Sequence, residues 1–154
     1  MGMHVHELHA ATVHGPLVLI PAAAAVDLAA AVTGNRNGAA LGRKLWWLAV
    51  GAGTLAGAAG LAASQEVKSD DPASNDMIWL HGLGNVTLLL GGVGMALWRT
   101  NKSPTVPQAL LGLGACALAS YTAYLGGELV YGQGVGVRAM PRIAANGVRR
   151  RPPG

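Results

Sequence analysis

Charge is scarce in this chain. Only 12% of its 154 residues are Asp, Glu, Lys or Arg, about half the usual share for a soluble domain. A water-facing surface over the whole fold is therefore excluded. There is one cysteine, Cys116, and it lies in an apolar run, which excludes an internal disulfide framework. Phenylalanine is absent, and the apolar content rests on Ala, Leu and Val. The opening "MGMHVHELHAATVHGP" has no Lys or Arg, so it lacks the basic start of a secretory signal peptide. No nucleophile–base pair and no phosphate-cradling loop is visible, so no catalytic residue is assigned. Nothing points to a nucleic-acid partner.

What is present is length without charge. Four segments qualify: Val13–Val32, Leu45–Ala63, Met77–Trp98 and Val106–Val130. Each approaches the roughly 20 apolar residues that cross a bilayer as a helix. The second, "LWWLAVGAGTLAGAAGLAA", is charge-free on every face, whereas a soluble bundle helix needs a polar face. The expected fold is all-α, a four-span transmembrane helix bundle over 13–131. Residues 1–12 precede it as a His-containing segment, and 132–154 follow as a basic Gly/Pro-rich tail. Small residues four apart give close-packing rows: Ala49/Gly53/Gly57, Ala52/Ala56/Gly60, Gly112/Cys116/Ser120 and Ala119/Ala123/Gly127.

Four spans place both termini on one side. The connections "TGNRNGAALGRK" and "RTNKSPT" hold five Lys/Arg on the other. The positive-inside rule then leans towards termini outside, in a bacterial inner membrane. The same count gathers polar groups at the terminal side: His14 at the start of span one, His81 and Asn85 near the start of span three, Glu128 and Tyr131 at the end of span four. Pro16 suits a first helical turn, and Pro21 removes an amide within the span. His81 and Asn85 are four apart and share a face. Tyr121, Tyr124, Glu128 and Tyr131 form one helical stripe. Asp27 lies nearer the opposite side, within reach of Arg36 or Lys44. His4, His6 and His9 read as a mobile tail with loose metal-binding spacing.

The stretches "LHAATVHGPLVLIPAAAAVDL", "LHGLGNVTLLL" and "GGELVYGQGVGV" resemble a bacterial family of small membrane proteins, domain of unknown function 2231. The resemblance runs from about His9 to Val137. It covers the His14 region, the His81/Asn85 pair and the ending Gly126–Tyr131. The chain departs from the family pattern at His9-Ala10 and at Val13-His14-Gly15-Pro16, where the pattern has His-Pro and Val-His-Phe-Pro. It departs again at Gly132-Gln133, where a basic residue and a His are usual. The resemblance implies a four-span membrane protein. Relatives fused to a Rieske-type domain imply electron transfer.

Three functions compete on these residues. The first is a non-enzymatic membrane subunit, with His14, His81, Asn85 and Glu128 locking helix ends and the small-residue faces meeting a second copy or a redox partner. The second is a b-type haem or metal site, with His14 and His81 as ligands, or His9 in place of one, and Asn85, Glu128 and Tyr131 around them. The third is a proton or small-solute path through Asp27 and Glu128.

Overall fold

The computed structural model describes residues 5–66 and 71–135, without the side chains of 5, 6 and 66. The described residues form helices and no strand: α1 Val5–Thr12, α2 His14–Thr33, α3 Arg36–Glu66, α4 Pro72–Asn101 and α5 Val106–Gly127, which runs into one π-helical turn, Glu128–Gly132. Pro16 explains why α1 and α2 are separate. It has no N–H for the Thr12 carbonyl, so the ladder breaks in the first turn of α2. The Thr12 hydroxyl donates back to the carbonyls of Leu8 and His9, both at 3.0 Å. The offset at Val13 is small, and Glu7–Thr33 counts as one span.

The other boundaries have local causes. Gly34 ends α2 with φ 69°, donating its amide to the Ala30 carbonyl, a left-handed cap that glycine takes without steric cost. Asn35 then accepts from the amides of Asn37 and Gly38 at 3.0 and 3.1 Å, which starts α3 at once. Asp71 caps α4, taking the Ser74 hydroxyl at 2.8 Å and its amide at 3.0 Å. These two bonds hold the Asp71 carboxyl below its ordinary 3.8. A carboxyl lowered on folding contributes stability above its unfolded pKa and loses it as pH falls through the folded one. The expected result is that Asp71→Ala speeds hydrogen exchange of the Ser74 amide at neutral pH. The variant and the natural chain should converge only well below pH 3.8.

Helix α2 packs on α3 and α5, α3 also on α1 and α4, and α4 on α5. The helices thus close into a ring of antiparallel neighbours. Its interior is built from small residues around one large ring: Ala23, Ala24, Ala49 and Ala96 with Ile20, Met95 and the fully buried Trp46. Leucines point outward instead, among them Leu55, Leu61, Leu83, Leu90 and Leu111, each more than 60% exposed. An apolar exterior over a small-residue interior is the inverse of a soluble bundle and suits lipid. Four helices are long and apolar enough to cross a membrane. The 30 residues of α4 span about 45 Å, more than the roughly 30 Å hydrocarbon core, so its ends reach the headgroups.

Of the expected packing rows, Ala52/Ala56/Gly60 and Ala119/Ala123/Gly127 face the bundle, while Gly57 and Ser120 are exposed. Gly15 sits against Ala52, whose Cβ stands 3.1 Å from where a Cβ at 15 would be.

Candidate functional site

Two polar clusters lie at opposite ends of the bundle. The first, near the terminal side, is built by histidines from α1 and α4. His9 bonds through Nδ1 to the Ala56 carbonyl on α3 at 3.0 Å. His81 bonds through Nδ1 to the Thr122 carbonyl on α5 at 2.9 Å. A carbonyl only accepts, so each Nδ1 carries a proton, and the neutral tautomer of each ring has its lone pair on Nε2.

The bed under each ring is the same. Four residues after each accepting carbonyl stands a glycine, Gly60 after Ala56 and Gly126 after Thr122. A Cβ at 60 would come within 2.8 Å of His9 Cε1, and one at 126 within 3.0 Å of His81 Cε1. At both positions the Cε1–Nδ1 edge of the imidazole closes on the helix, so a side chain there would press on the ring. Gly60→Ala or Gly126→Ala should push the ring off its carbonyl. If the pair holds a metal centre, the affinity should fall about 10- to 100-fold, as when an orienting partner is lost. Titration of the centre into each variant checks this.

The two rings stand 6.3 Å apart between centroids, with planes at 83°. Both are half-buried. Asn85, one turn beyond His81, donates from Nδ2 to the His81 carbonyl at 2.9 Å and stands 3.1 Å from His81 Nε2. His81 and Asn85 thus share one face of α4.

Other expected members do not join them. His14 opens α2 but is exposed; His9 stands beside His81 in its place. The tail expected at His9 is instead a helix packed on α3, because the chain is already helical before Pro16. His4 lies outside the described residues, as does the side chain of His6. Tyr131 is 91% exposed and Tyr124 65%, so the tyrosine stripe points outward, as interfacial anchors do. Glu128 is half-buried at the start of the π turn. Its carboxylate folds over its own turn onto Gly132, where a Cβ would overlap it, and it makes no hydrogen bond to another described residue.

The second cluster was only half visible in the sequence. Asp27 is fully buried and accepts four hydrogen bonds. Arg99 gives two, Nε at 2.8 Å and Nη2 at 3.1 Å. Trp46 Nε1 gives one at 3.0 Å, and Gln108 Nε2 gives one at 3.3 Å. Arg99 also donates to the Ala39 carbonyl at 2.7 Å and to the Lys102 carbonyl. The partner of Asp27 is thus Arg99, not Arg36 or Lys44. One carboxylate and one guanidinium fasten α2, α3, α4 and α5 together. Gly42 is needed beside them, since a Cβ there would overlap the carboxylate.

Among the described residues no group of three or more His, Cys, Asp or Glu side chains is placed to hold a metal ion. A family model described as predicted membrane protein (DUF2231) matches residues 5–139. No curated protein and no solved structure matches the chain.

Proposed function

Since the chain belongs to the DUF2231 family of predicted membrane proteins, we propose that it is a multi-pass membrane electron-transfer protein whose His9 and His81 are the axial ligands of a b-type haem. The observation that carries this reading is the matched setting of the two rings. Each has its Nδ1–H tied to a backbone carbonyl, each lies on a glycine, and they stand 6.3 Å apart. His9 and His81 would hold the iron through Nε2, the ring nitrogen that their carbonyl bonds leave with the lone pair. A ring that donates its Nδ1–H to a carbonyl is oriented and made more basic at Nε2, as metal-bound histidines are.

Two protein ligands favour haem over a bare ion. A structural zinc takes four protein ligands and a catalytic one three. A haem brings four nitrogens of its own, so two histidines complete it. Held by His9 and His81, a haem would supply electron transfer. Asn85 would yield Nε2 and keep its second bond, to the His81 carbonyl. The basic connections on the opposite side favour a bacterial inner membrane with the histidine pair in its outer half, where a redox partner or a second copy would dock.

The competing structural reading also has an observation behind it, since the two histidine bonds tie α1 to α3 and α4 to α5. On that reading the chain is a non-enzymatic subunit. The proton path is disfavoured because four donors already occupy Asp27. Titrating haem into purified protein separates the first two. Saturation at one haem per chain, with a six-coordinate spectrum, supports the site. Absence of saturable binding leaves the structural reading.

A further inference from the structure

At the basic end of the bundle, away from the histidines, a cleft of about 660 Å³ opens between α3 and α4, lined by Arg43, Lys44, Trp47, Leu48 and Thr100. Arg43 stands four residues before Trp47, and Lys44 four before Leu48. On a helix each cation therefore sits one turn beyond an apolar side chain. Trp47 is 44% exposed and Leu48 58%, and both belong to a helix long and apolar enough to cross the membrane. Arg43 is steadied across the cleft by donating Nη1 to the Thr100 carbonyl at 3.3 Å. Among the described residues no carboxylate lies within ion-pair distance of Arg43 or Lys44. Asp27, which packs against Gly42 beside them, is paired with Arg99.

We propose that this cleft is a seat for one anionic phospholipid, its phosphate between Arg43 and Lys44 and the start of its acyl chain along Trp47 and Leu48. Two unpaired cations at headgroup level match the phosphate charge, and a guanidinium offers it a fork of donors. The apolar floor inside a span distinguishes a lipid from a soluble anion. The seat does not depend on the haem reading.

The test compares retention of phosphatidylglycerol by the full chain, purified from mixed phosphatidylglycerol/phosphatidylcholine vesicles and read by native mass spectrometry. The expected result is one retained phosphatidylglycerol per chain. Arg43→Ala/Lys44→Ala should weaken retention by on the order of tenfold. A charge-matched control, Arg36→Ala/Lys102→Ala, removes two cations from the same end but outside the cleft, and should lose far less. Equal losses in the two double variants would mean diffuse attraction to the surface and would overturn the seat. Displacement of the lipid by millimolar inorganic phosphate would equally overturn it, because the site would then recognise a free anion.

Discussion

On the haem proposal, His9→Ala and His81→Ala should each abolish a six-coordinate haem spectrum, with affinity falling by more than about 100-fold, beyond the loss seen when only an orienting partner is removed. His14→Ala should leave spectrum and affinity unchanged, because that ring is exposed and stands apart from the other two. The contrast matters because His14 has the more suggestive place in the sequence, two residues before the proline in the first turn of α2. The structure favours His9 on three counts: its Nδ1 bond to Ala56, the glycine beneath its ring, and its 6.3 Å distance from His81. Loss of binding in His14→Ala with retention in His9→Ala, both read by absorbance titration, would reverse the assignment.

The second large effect concerns stability. Asp27→Ala should destabilise the bundle by about 3–5 kcal/mol, the usual cost of stranding one member of a buried ion pair. Arg99 would be left with its charge buried, at 1% side-chain exposure, and Trp46 and Gln108 would each lose an acceptor. Arg99→Lys should rescue little. The ammonium is a single point of charge and cannot serve both oxygens of Asp27 and the Ala39 and Lys102 carbonyls as the planar fork does. Reversible unfolding in mixed detergent micelles measures both. A loss below about 1 kcal/mol for Asp27→Ala, the range of an exposed pair, would show that the pair is not the clamp described.

The four spans were legible because unpaired backbone in lipid forces long apolar runs into helices. Helix ends were less so. A charged residue ends an apolar run without ending a helix, so "TGNRNGAALGRK" reads as a connection although only Gly34 and Asn35 separate α2 from α3. The Asp27–Arg99 pair spans 72 residues of sequence, and Arg99 looks like the first residue of a loop. A signal was present, however. An acid within a span calls for a partner, and spans one and three end on the same side, which puts Arg99 beside Asp27. His81 and Asn85 were readable from their four-residue spacing. His9 was readable as a substitute ligand but not as part of a helix, because Pro16 resembled the first helix start and concealed α1 before it. Gly60 was readable as a small residue on a packing face, but its role as the bed of an imidazole depends on a ring 51 positions away.

The most direct measurement is the low-temperature electron paramagnetic resonance spectrum of the oxidised protein, purified from a bacterial membrane supplied with haem. The account predicts a low-spin ferric signal from two axial imidazoles at one haem per chain, lost in His81→Ala. Purified, folded protein that carries no haem and takes up none would contradict it, and the two histidines would then be interhelical ties alone.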